Sequence, residues 1–207
     1  MRRRSAAIQR KGKYSREEVA NAAVELRETT GEPTALAFAF VTSDYVPHLE
    51  EFSEIVRVDG HVIELVGATG AGVTGGGEEN EEGGGFALLA LGAEPGVFDV
   101  RTFDQARLEE STEPAFWQKL CGIKNPGAWI ALTNPFRFDT ESWLAEWNSA
   151  WPDVQCVGGL AAGQNDGEGV AVFHNGGLFD AVLISVRGLR VMSIVSQGCR
   201  PIGEPLT

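Results

Sequence analysis

Residues 35–72 read ALAFAFVTSDYVPHLEEFSEIVRVDGHVIELVGATGAG, and the order of elements in this stretch points to an α/β chain. Over 35–41 Ala alternates with Phe or Leu, the pattern of a buried strand. Asp44 is placed to cap a helix with Pro47 in its first turn. Leu49, Phe52, Ile55 and Val56 then fall on one helical face. Asp59-Gly60 makes a turn, Val62 to Val66 a second strand, and Gly67 to Gly72 a GxxxxG loop. Residues 75–85 hold six glycines, four glutamates and one asparagine, the composition of a solvated hairpin tip, and 86–93 return as a strand.

The same order recurs downstream. Residues 128–133 (AWIALT) read as a strand, and Asp139 caps a helix with Trp143, Leu144, Trp147 and Trp151 on one face. Residues 154–157 form a short strand before a second GxxxxG loop, Gly158 to Gly163. A polar turn at 164–169, a strand at 170–174, a type I′ hairpin signal at Asn175-Gly176 and a strand at 178–186 complete the series. A last strand spans 191–195. The expected fold is therefore α/β, with mixed sheets and covering helices built from two duplicated βαββ units. Upstream, Ser15-x-x-Glu18 reads as a capping box opening a helix to about Arg27. Residues 94–127 carry no clear pattern.

The chain has 207 residues, enough for one or two domains, and a formal charge of −12. Seven of its 17 basic residues lie in positions 1–16, where there is no acid, so the other 191 residues carry −19. Such a body repels phosphate backbones and anionic lipid, which excludes nucleic acid and membrane as partners. The basic start lacks the apolar region of a secretory signal and reads as a frayed terminus. No apolar run reaches the roughly 18 residues needed to span a bilayer. Cys121, Cys156 and Cys199 are odd in number and widely spaced, which fits a reducing, cytoplasmic setting without disulfides.

Candidate chemistry is sparse. Gly70-x-Gly72-x-x-Gly75 matches a dinucleotide fingerprint, but no helix can open at the glycine- and glutamate-rich continuation to hold a pyrophosphate. Glu78, Glu79, Glu81 and Glu82 lack the spacing of a calcium loop. His48, His61 and His174 are far apart and form no metal motif, so neither cofactor nor metal is expected. His174 reads as an exposed turn residue, and Cys121 and Cys156 as packed. Cys199, next to Arg200, is the one thiol with a neighbour able to lower its pKa. The two glycine loops remain, because glycine after a strand lets backbone N–H groups approach a carboxylate.

Taken together, the segments LAFAFVTSDY, VGATGAGVTGGGEENEEGGGFALLAL (66–91), VGGLAAG (157–163), FHNGG (173–177) and SQGCRPIGEP (196–205) resemble the FIST family of F-box and intracellular signal-transduction proteins. The resemblance covers 33–205. It implies a sensory module binding a small ligand, with amino acids proposed as ligands and haem suggested for some members. It also implies joining to a signalling partner, and an F-box in some eukaryotic members. The resemblance divides the chain into a basic segment and helix at 1–32, a FIST N-terminal-like domain at 33–195, and the start of a C-terminal FIST domain at 196–207. An open surface where that second domain would sit leads to the expectation of a homodimer or a separate partner. The expected ligand contacts are Gly67, Thr69, Gly70, Gly72, Gly158, Gly159, Gly163, Gln164, Cys199 and Arg200. The first reading is a non-enzymatic cytoplasmic sensor. A cysteine hydrolase and an interaction adaptor are the alternatives.

Overall fold

Residues 34–42 are buried apart from Phe40, and their alternation sends successive side chains into different layers. Ala37, Ala39 and Val41 enter a core shared with two helices, while Leu36 and Phe38 enter a core shared with a second sheet. The computed structural model describes residues 5–31, 34–81, 83–163 and 167–193. The first half comprises β1 (Ser5–Lys11), α1 (Arg16–Thr30), β2 (Thr34–Thr42), a 3-10 turn (Ser43–His48) and α2 (Leu49–Asp59). It continues with β3 (Val62–Gly70), β4 (Val73–Gly75), β5 (Glu78–Asn80) and β6 (Gly85–Gly92). The second half comprises β7 (Phe98–Phe103), α3 (Gln105–Glu109), α4 (Ala115–Cys121), β8 (Ala128–Thr133) and α5 (Thr140–Ala150). It ends with β9 (Cys156–Leu160), β10 (Val172–His174), β11 (Gly177–Phe179) and β12 (Ala181–Val186).

The larger sheet has the order β1-β6-β2-β3-β10-β11, and the smaller one β7-β12-β8-β9. In each, the first strand of a crossover pairs parallel with its successor (β2 with β3, β8 with β9) and antiparallel with the strand that closes the unit (β6, β12). An outer antiparallel strand, β1 or β7, completes each set of four. The larger sheet differs in one respect: β10 of the later segment pairs antiparallel with β3 and joins the halves.

Three apolar clusters define four layers. Helices α1 and α2 bury Val19, Leu26, Phe52 and Val56 against the outer face of the larger sheet. The inner faces of the two sheets meet through Leu36, Phe38 and Val66 on one side and Leu132, Val182 and Ile184 on the other. On the far side, Trp117, Trp129, Trp143, Trp147 and Trp151 pack with Phe103 and Phe138 beneath the smaller sheet. The Trp stripe is thus core, with Trp147 and Trp151 centroids 4.3 Å apart, while Leu144 of the expected apolar face is partly exposed.

Several sequence expectations change. The basic start is not a frayed end from Ser5 onward: residues 5–11 form β1, whose Ala6 and Ile8 reach the same core as α1 and β2. Asp44 does not cap α2, because a 3-10 turn intervenes and its carboxylate accepts the Thr42 hydroxyl instead. β3 runs on to Gly70 and β9 to Leu160, so the first residues of both glycine loops are strand. The patternless stretch holds β7, α3 and α4. Residues 178–186 break at buried Asp180, which accepts the Gln105 N–H and pairs with Arg137 at 2.8 Å. Residues 191–193 are not strand, and the rest of that expected element lies outside the described residues.

Candidate functional site

Parallel strands release their chains at their carboxyl ends, and ligands in α/β folds collect there. At that end of β2 and β3 lies an open cavity of about 380 Å³, lined by Lys13, Thr42, Ser43, Asp44, Gly70, Ala71, Gly83, Gly84 and Gly163. Each wall is fixed from behind. The Gly85 N–H donates to the Thr42 hydroxyl at 2.9 Å, and that hydroxyl donates to Asp44. The Gly12 N–H donates to the Gly84 carbonyl at 2.7 Å, and the Tyr45 hydroxyl donates to the Gly12 carbonyl at 3.0 Å. These bonds bring Lys13, just past β1, to the rim that carries Asp44.

The glycines matter individually. A Cβ on Gly84 would stand 2.5 Å from the Asp44 carboxylate and 2.7 Å from the Gly12 carbonyl oxygen, and the backbone contact requires glycine there. A Cβ on Gly163 would stand 3.1 Å from the Ser43 hydroxyl oxygen and 2.8 Å from Val170. The second glycine loop is held over the first by Thr69: the Ala162 N–H donates to its carbonyl at 2.9 Å, and its hydroxyl exchanges bonds with the Ala171 backbone.

The expected contacts therefore separate. Gly70 and Gly163 meet at this cavity. Thr69 is buried, with its hydroxyl and N–H taken up by Ala171, and acts as a brace. Gly67 lies under the Phe173 ring, and Gly72 packs on the Asn80 carbonyl at the base of the β4–β5 hairpin. Gly158 and Gly159 line a different cavity of about 220 Å³, between β9 and α5. Gln164, Cys199 and Arg200 lie outside the described residues. Sequence reading missed Lys13, Thr42, Ser43, Asp44, Gly83 and Gly84. The available signal was Thr42-Ser43-Asp44 at the end of the first strand, which a capping role absorbed.

Two thiols are described. Burial pushes the Cys121 thiol up to about 12 and the Cys156 thiol up to about 11, which leaves both protonated and weakly nucleophilic at neutral pH. His174 is not a free turn residue: its Nε2 lies 2.6 Å from Glu64, which also accepts from the Asn175 amide at 3.1 Å. Its hairpin does form, with φ of +49° at Asn175 and +91° at Gly176. Among the described residues, no helix is long and apolar enough to cross a membrane.

Comparison with known proteins adds a family. The family model of the FIST N domain matches residues 35–207. The uncharacterized protein Rv0628c of Mycobacterium tuberculosis is 33% identical over 78 residues, which is 37% of this chain and 20% of that protein. The uncharacterized protein Mb0898c of Mycobacterium bovis is 31% identical over 78 residues, with the same coverage. The matched part of this chain thus spans about a fifth of the length of these curated relatives.

Proposed function

The chain belongs to the FIST N domain family, a family of sensory domains in signal transduction, and from that premise we propose that it binds a small amino-acid-like metabolite without converting it. One observation carries this reading. The cavity at the carboxyl ends of β2 and β3 has a cation, Lys13, and a carboxylate, Asp44, on walls otherwise made largely of glycine backbone and small side chains. An α-amino acid offers a carboxylate to the one and an ammonium group to the other, and backbone at Gly70 and Gly84 supplies close, uncharged contact. The suppressed thiol of Cys156 weighs against that residue as the nucleophile of a cysteine hydrolase. Its setting in this reading is the cytoplasm, where the occupied domain reports to a signalling protein.

A thermal-shift screen against the proteinogenic amino acids tests this. A ligand that binds only the native state stabilises it by about 2.7 kcal/mol at a hundred times its Kd. At least one amino acid should raise the melting temperature saturably, and Asp44→Asn or Lys13→Ala should abolish the rise while leaving the unliganded melt nearly unchanged. The reading fails if no amino acid shifts the wild type, or if the shift survives both replacements.

A further inference from the structure

The two sheets share one junction that, among the described residues, is filled in the first and open in the second. In the larger sheet, β3 is sealed by β10, with Phe173 paired to Gly67 and Val172 to Ala68. The N–H of Thr69 donates to the Ala171 carbonyl, and the N–H of Asn175 donates to the Leu65 carbonyl, so Leu65, Gly67 and Thr69 turn their backbone groups toward β10. The Phe173 ring lies over Gly67, where a Cβ would stand 2.2 Å from the ring and 2.2 Å from the Ala39 carbonyl oxygen. Gly67 pairs with Ala39 on β2, and in the smaller sheet Gly158 pairs with Ala131 on β8. A Cβ on Gly158 would likewise meet the Ala131 carbonyl oxygen, at 1.8 Å. Gly158 on β9 is the counterpart of Gly67 on β3.

The neighbours follow from that match. The Trp129 N–H donates to Gln155 and the Ala161 N–H to Thr133, so the odd-numbered residues of β9 face β8. Cys156, Gly158 and Leu160 then direct N–H and C=O outward, as Leu65, Gly67 and Thr69 do in the other sheet. Among the described residues, no strand pairs with that side of β9. Gly158, Gly159 and Leu160 are exposed, Leu160 to 58%. Where Phe173 sits in the first sheet, the second has the 220 Å³ cavity bounded by Gly158, Cys156, Trp143 and Leu144. Among the described residues, no charged side chain lines it.

We infer that this edge of β9 takes up a β-strand of another polypeptide, antiparallel, with an aromatic side chain seated over Gly158 against Trp143. The occupant repeats what β10 does on β3, with backbone bonds supplying affinity and the ring supplying specificity. Charge decides its character. The chain outside its first sixteen residues carries −19, which repels an acidic strand, and a second copy brings a net −12 of its own. The occupant is accordingly neutral or basic. Residues 194–207 contain no Phe, Tyr or Trp and so cannot provide the ring.

The probe is a labelled peptide, acetyl-Lys-Val-Thr-Val-Phe-Thr-Val-Lys-amide, titrated with the 207-residue protein by fluorescence polarisation. Saturable binding is expected, weakened by about tenfold or more when the peptide Phe is replaced by Ala. Leu160→Pro removes an outward N–H without touching the bonds to β8 and should weaken binding as much, in a protein that still melts cooperatively. Backbone amide exchange on the wild type gives an independent readout should that variant not fold: peptide should protect Cys156, Gly158 and Leu160. No binding, binding indifferent to the Phe, binding retained by a folded Leu160→Pro, or protection at another edge would each overturn the inference. So would protection of the three amides without peptide: rising with protein concentration it would identify a second copy as the occupant, and independent of concentration, the chain's own remaining residues.

Discussion

Gly67 and Gly70 are three residues apart on one strand and do different work. Gly67 admits the Phe173 ring and the neighbouring Ala39 carbonyl, while Gly70 opens onto the cavity at the strand ends. Gly67→Ala should therefore destabilise the protein by about 2 kcal/mol in urea unfolding, the cost of overpacking. Phe173→Ala should cost roughly 3–5 kcal/mol, since the ring is fully buried and joins the two halves. Cys156 gives a chemical check on the sensor reading. With its pKa held at about 11 by burial, its thiolate is roughly one part in a thousand at pH 8. Alkylation by iodoacetamide should be slow at neutral pH and rise about tenfold per pH unit up to pH 10 without levelling. A plateau near pH 7 would mark an activated nucleophile. At this scale the candidate site was half legible. Composition exposed the glycines, but a glycine that admits a ligand and one that admits a ring look alike until the partner strand is known. Lys13 and Asp44 escaped because local sequence explained each of them without a site.

Among the elements, β1 and the 3-10 turn show what periodicity cannot report. Residues 5–11 carry Arg10 and Lys11, and the partner that makes them a strand, β6, lies some eighty residues away. The strong helix faces and the Asn175-Gly176 hairpin were legible because their signals are local. The junction between β1 and α2 is latched by two tyrosines. Tyr14 donates its hydroxyl to Glu51 at 2.6 Å and stacks on His48, and Tyr45 donates to the Gly12 carbonyl. Burial is the first cause that raises each phenol, with Glu51 adding to it at Tyr14 and Asp44 at Tyr45, and both stand at about 12 against an ordinary 10. A raised acid pKa means that the folded chain holds its proton where the unfolded chain has lost it. The stability these groups contribute is complete below pH 10 and is lost as pH rises from 10 to about 12. Urea midpoints measured across that interval should fall, and the fall should lessen in Tyr14→Phe and Tyr45→Phe.

For the whole molecule, two helix-covered sheets face each other across an apolar seam, and β10 stitches the second half to the edge of the first. That crossing strand is what a residue-by-residue reading could not foresee, since hairpin signals fix the partner within a hairpin and not the sheet it joins. It also explains why the halves offer different surfaces: a sealed strand whose carboxyl end shapes the cavity, and a strand, β9, with one side unpaired among the described residues. In the proposed function the cavity at the ends of β2 and β3 holds a zwitterionic metabolite between Lys13 and Asp44. The most direct measurement is an amide NMR titration of the protein with the amino acid that gives the largest thermal shift. Saturable shifts are expected, confined to Lys13, Thr42 to Asp44, Gly70, Ala71, Gly83, Gly84 and Gly163. Saturable shifts centred elsewhere, or no shifts at millimolar concentration of any amino acid, would contradict it.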